Sequence, residues 1–169
     1  MKKLVLLGIL SILSLNFYAQ GIKLGHINTQ ELMATLPQRI AAEEELKKHA
    51  AQLEEFQKTL QDELNQKYEE YLTERDSYSD LVRATKEKDL QDKQQRLATY
   101  NQTAQQDLYK KESELMQPIV DMVTKAIEEV GKENGFLYIF DTSSGNILFN
   151  SAESVDITPL VKAKLGLEN

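Results

Sequence analysis

Cysteine is absent from this chain of 169 residues, and histidine (2), proline (3) and glycine (7) are scarce. Without cysteine there is no disulfide framework and no cysteine-linked lipid anchor. His26, in a strand-like pattern, and His49, on the polar side of a helical one, cannot by themselves supply a metal-ligand spacing. His26 reads as a satisfied structural residue. Neither Gly25-His26 nor Ser143-Ser144-Gly145 forms a nucleophile elbow or a phosphate loop. The carboxylates follow helical surface spacing beside basic neighbours, as a solvated face does, so catalysis and a bound cofactor are not expected. An excess of positive charge is missing too. With 20 basic against 27 acidic residues the formal net charge is −7, which repels phosphate and argues against nucleic-acid binding.

Long apolar runs are confined to the start. Lys2 and Lys3 precede the run Leu4–Leu15, and Asn16-Phe17-Tyr18-Ala19 offers a small residue before Gln20. Charge, short apolar segment and exit site make a secretory signal over residues 1–19, too short for a comfortable membrane span. Its removal leaves 18 basic residues against 27 acidic, a net −9. The mature remainder, residues 20–169, has the length of one domain.

The scarcity of helix breakers matters most from Gln38 to about Glu133, where Pro118 and Gly131 are the only proline and glycine. Glu, Lys, Gln, Ala and Leu, which lose little rotamer freedom on a helix, fill the stretch. A narrow stripe of Leu46, Leu53, Phe56, Leu60, Leu64, Tyr68, Tyr71, Tyr78 and Val82 runs through its first half. Leu90, Leu97, Tyr100, Ala104, Leu108, Leu115 and Ile119 repeat the pattern in the second half. From Leu53 the steps alternate between three and four, close to the period of a straight helix. So narrow a stripe can zip two helices together but cannot build a globular core. Between Asp76 and Ala84 both stripes weaken, and Asp-Ser-Tyr-Ser-Asp competes for backbone hydrogen bonds. The chain is expected to fold back there, giving an antiparallel coiled-coil-like arm over residues 38–114, its tip at about 76–84. Its two helices, the second continuing past the arm to about Glu133, would be roughly 60 and 75 Å long at 1.5 Å per residue.

The flanks form a base, residues 20–37 and 115–169. Ile22–Asn28 alternates as a short strand. Asn28 or Thr29 can cap a helix over Gln30–Leu36, and Pro37 suits the start of the long helix. From Leu115 the helix carries two apolar stripes, so it is buried on more than one side, and Pro118 should kink it. Asn134-Gly135 stops it. Phe136–Asp141, apolar on both faces, reads as a buried strand, with Asn146–Asn150 returning as its hairpin partner. A polar link then leads to a final helix, Pro159–Leu165, closed by Gly166. The fold class is α+β, mostly α, and the strand set is too small to bury its own faces, so oligomerisation is expected to complete it.

Lys23-Leu24-Gly25-His26-Ile27-Asn28-Thr29-Gln30, Leu115-Met116-Gln117-Pro118-Ile119, Glu133-Asn134-Gly135-Phe136, Asp156-Ile157-Thr158 and Lys164-Leu165-Gly166, in this order behind a signal peptide, resemble the Skp/OmpH family of periplasmic chaperones. The resemblance covers the mature chain. It implies a homotrimer in which strands of three subunits make a small body and three helical hairpins enclose a cavity. Unfolded outer-membrane β-barrel proteins would be held there without ATP. A structural coiled-coil scaffold of the cell envelope is the alternative. This chain departs from the markedly basic family pattern: Gln38–Ala84 has 7 basic and 12 acidic residues, and only Arg83–Arg96 is mildly basic, with five against three. Electrostatic capture of acidic clients and contact with anionic lipid are thereby left open.

On the arm, Leu53, Phe56, Leu60 and Leu64 read as hairpin seam. Tyr68, Tyr71, Leu72, Tyr78, Leu81 and Val82 crowd near the tip and are the candidate client contacts. Met122, Val123, Ile127, Val130, Phe136, Tyr138 and Phe140 are the candidate trimer core.

Overall fold

A computed structural model describes residues 22–167. The expected signal segment lies outside the described residues. The chain divides into a helical unit, Ala34–Met122, and a sheet unit formed by the residues up to Met33 with those from Val123 on.

In chain order the elements are β1 (Leu24–Ile27), α1 (Thr29–Ala34), α2 (Pro37–Glu74), a 3-10 turn (Arg75–Ser77), α3 (Asp80–Glu133), β2 (Tyr138–Asp141), β3 (Val155–Asp156) and α4 (Thr158–Lys164). This is the mostly helical α+β class expected, with a long helix pair and a small sheet.

In the helical unit, α2 opens on Pro37 after an extended Leu36, where the missing N–H costs nothing. The turn is tighter than the expected Asp76–Ala84. It closes within Arg75–Ser79, because Ser79 Oγ accepts from Val82 N–H at 3.4 Å and the Ser79 carbonyl from Arg83 N–H at 2.9 Å. Leu81 to Ala84 therefore already belong to α3.

Contacts across the seam pair high numbers with low ones, as antiparallel helices require. Glu45 meets Lys111, His49 meets Asp107 at 2.6 Å, Tyr100 donates to the Leu53 carbonyl at 2.9 Å, and Tyr71 donates to Glu87 at 2.5 Å. Leu60, Leu64 and Leu90 are buried in the seam, each stabilising it by about 1.5–3 kcal/mol. Phe56 packs its ring 5.0 Å from that of Tyr100, which accords with the expected seam stripe. α3 runs through Pro118 without ending.

The sheet unit has the strand order β2-β1-β3, and both pairings are parallel. The expected antiparallel hairpin is replaced by two parallel neighbours of β1. Residues 146–150 are not a strand. The third strand is Val155–Asp156, in what the sequence suggested was a polar link. The reason lies at Asp141. Its carboxylate accepts from Thr29 N–H (3.2 Å), Thr29 Oγ–H (2.6 Å), Ser143 N–H and Ser143 Oγ–H (both 2.9 Å). The chain is thus drawn towards the start of α1 instead of back along β2. Parallel strands need a long connection, which residues 142–154 supply between β2 and β3 on either side of β1. The first helix also starts one residue and ends two residues earlier than expected, at Thr29–Ala34, with Asn28 Oδ1 accepting from Glu31 N–H at 3.1 Å.

Ile27, Leu32, Ile157 and Val161 are fully buried in this unit, joined by Val123, Ala126 and Val130 of α3. Gly25 lies on the inner face, where an added Cβ would stand 3.1 Å from both Ile157 and the Phe136 ring. Gly135, at φ +66°, lets the chain leave α3 in the left-handed region.

Candidate functional site

The far end of the hairpin concentrates aromatic and apolar side chains that two helices cannot cover. Tyr68 and Leu72, four residues apart on α2, are exposed, as are Leu81 and Val82 on α3, with Leu81 at 80%. Tyr71 and Tyr78 are half-buried, with ring centroids 6.4 Å apart. Both phenols are fixed by carboxylates, Tyr71 donating to Glu87 at 2.5 Å and Tyr78 to Glu74 at 2.6 Å. These bonds push both phenols up, Tyr78 to about 12, because the carboxylate accepts from the phenol and disfavours its ionisation. Lys67 pairs with Glu70 at 2.7 Å, which raises the lysine and lowers the glutamate. All six expected client residues thus lie on one end of the helical unit, four open and two pinned by hydrogen bonds.

The expected trimer-core residues are not alike. Val123 and Val130 are 3% and 2% exposed within the single chain, so they serve its own core. Met122, Ile127 and Phe136 are half-buried. Tyr138 and Phe140 are exposed, their rings 6.0 Å apart. β2 is therefore not buried within one chain, contrary to the reading of Phe136–Asp141 as a buried strand. Side chains alternate along a strand, and the register pairs Leu24 with Tyr138 and His26 with Phe140. Gly25, Ile27 and Ile139 take the inner face; Leu24, Tyr138 and Phe140 form an apolar outer one.

Sequence reasoning missed the segment between Asp141 and Val155. Leu148 and Phe149 are among the most exposed apolar residues described. Their run with Ile147 reads as a strand, and nothing local distinguishes it from one. His26 is satisfied as expected, with Ser154 Oγ 2.8 Å from Nδ1 and the Asn150 amide nitrogen 3.2 Å from Nε2. Burial works to raise the Asp141 and Asp156 carboxyls, but donation from Thr29 and Ser143 to the first, and from Thr158 to the second, outweighs it and holds both below the usual range. Among the described residues no group of three or more His, Asp or Glu is placed to hold a metal, and no helix is long and apolar enough to cross a membrane.

The family of outer membrane proteins described as OmpH-like matches residues 23–165. Among solved structures, an OmpH-like protein of Caulobacter crescentus CB15, described as a candidate outer membrane chaperone, superposes with a TM-score of 0.71 at 17% identity. The match covers 88% of this chain and 90% of the other, and it carries the fold. No curated protein matches the sequence.

Proposed function

The chain belongs to the OmpH-like outer membrane protein family, and from that premise we propose that it is a periplasmic chaperone. It holds unfolded outer-membrane β-barrel proteins and keeps them from aggregating, without ATP and without a catalytic group. The observation that carries this reading is the open apolar and aromatic end of the hairpin, Tyr68, Leu72, Leu81 and Val82. A water-soluble protein has no structural use for such a cluster unless something covers it. Unfolded barrel strands offer alternating apolar side chains that would do so. The exposed outer face of Leu24, Tyr138 and Phe140 supports the second part of the reading, that three copies assemble through their sheets.

The test is dilution of a urea-unfolded barrel protein into buffer with and without the mature chain, followed by light scattering. A stoichiometric excess of the chaperone should abolish most of the scattering. An unchanged trace would leave the envelope scaffold as the better account. Cell fractionation should place the chain in the periplasm, cleaved near Ala19, and a cytoplasmic pool of uncleaved chain would contradict the secretory part.

A further inference from the structure

The open face of α2 has a charged border. Tyr68 and Leu72 continue along the open flank of the seam that buries Leu60 and Leu64, 49% and 46% exposed. On the side farther from the seam runs the row Glu55, Asp62 and Glu69, seven residues apart and hence nearly in line on a helix. All three are exposed, and none of their carboxylates has an ion-pair or hydrogen-bond partner among the described residues. Glu54 adds a fourth free carboxylate beside them, and Lys58 is the one cation within the row. The cations closer to the seam are otherwise occupied: Lys67 is held by Glu70, and Arg75 lies 3.4 Å from Asp76. The row thus adjoins the apolar pair at Glu69 and runs about 20 Å along the helix to Glu55, carrying more negative charge than Lys58 alone can balance.

We propose that this face of α2 docks unfolded segments in which Lys or Arg is interspersed with apolar residues, so that the chaperone selects basic stretches of its clients and passes over acidic ones. The inference rests on the chaperone reading and adds the chemistry of the segment. Apolar groups of the segment cover Tyr68 and Leu72. Its long basic side chains lay their methylene stems along the same strip and put their charged ends among Glu55, Asp62 and Glu69. An acidic segment with the same apolar content meets like charge at the border and is rejected, which is specificity by repulsion as much as by attraction. Each exposed pair is weak, roughly a factor of 1.5–5 in affinity. Three or four together make a preference of about tenfold or more at low salt.

The experiment uses the full mature chain and two fluorescent unstructured peptides of one apolar pattern, one carrying Lys and Arg, the other Asp and Glu. Anisotropy should show the basic peptide binding about tenfold more tightly at low salt, the gap narrowing as salt screens the border. Glu55→Gln, Asp62→Asn and Glu69→Gln together should remove the preference while leaving both peptides bound. Tyr68→Ser with Leu72→Ser should weaken both peptides. Equal binding of the two peptides by a chain that does suppress aggregation would overturn the charge selection alone. Tighter binding of the acidic peptide would transfer the role to Lys86, Lys88 and Lys93 on α3 and overturn it as well. Failure to bind either peptide and to suppress aggregation would sink the chaperone reading and this inference together.

Discussion

Deprotonating Tyr78 would set a phenolate 2.6 Å from the Glu74 carboxylate, which is why its ionisation is deferred to about 12. A phenol raised in this way keeps its bond to the carboxylate from neutral pH past the ordinary tyrosine range, near 10, and loses it as pH rises through the shifted value. Tyrosinate absorbance should therefore show Tyr71 and Tyr78 titrating late, and Glu74→Gln should bring Tyr78 back towards the ordinary range. Asp141 works with the opposite sign. Its carboxyl is depressed, so the stability it adds is present above the usual aspartate range and is lost as pH falls through its lowered value. Asp141→Ala should cost about 1–2 kcal/mol at neutral pH, through the lost cap on Thr29. The difference from the parent chain should vanish in strong acid, and urea denaturation at several pH values measures both. The role of Asp141 was not legible beforehand. Asp141 and Thr29 are 112 positions apart, and a contact of that range leaves no local trace, whereas the cap by Asn28 does.

The helices show the reverse case. A stripe at steps of three and four announces a seam wherever it runs, so Leu60, Leu64 and Leu90 could be placed before any coordinates existed. Truncation of Leu60 or Leu64 to Ala should destabilise the hairpin by about 2–3 kcal/mol, toward the lower part of the usual range because a two-helix seam can collapse around the gap. Hydrogen exchange should be fast at Arg75–Ser79, where the turn has few buried contacts, and slow at Val123–Val130. Uniform protection would contradict the hairpin. On the same arm, the grip on a client should depend on Tyr68, Tyr71 and Tyr78. Replacing all three by serine should lower client affinity more than neutralising Lys86, Lys88 and Lys93, and binding should survive raised salt. Equilibrium titration of both variants decides between them. The strands were the harder element to read. β3 has two residues, below any periodicity, while Ile147-Leu148-Phe149 imitates a strand without pairing as one. Their places were settled by which edges of β1 remained open.

For the molecule as a whole, the burial pattern separates folding from assembly. Val123→Asp would place a charge in a core the single chain already fills and should unfold the sheet unit. Tyr138→Asp or Phe140→Asp changes side chains that one chain leaves open, and should lower the association state while circular dichroism keeps its helical signal. An unchanged sedimentation coefficient for both variants would remove the outer sheet face from the interface. The pairing of β1 with β2 also sets an order of events in time. Leu24 must meet Tyr138, and Gly25 must meet Val155, so the first strand to leave a ribosome or a translocation channel waits for nearly the last residues. The hairpin zips from its own turn by near neighbours, which is fast, whereas closing the sheet brings distant ends together and is slow. During that interval the chain carries finished arms and an unfinished sheet, with Leu24 and Ile27 uncovered. On the proposed function, a protein that keeps others from aggregating passes through a vulnerable adolescence of its own.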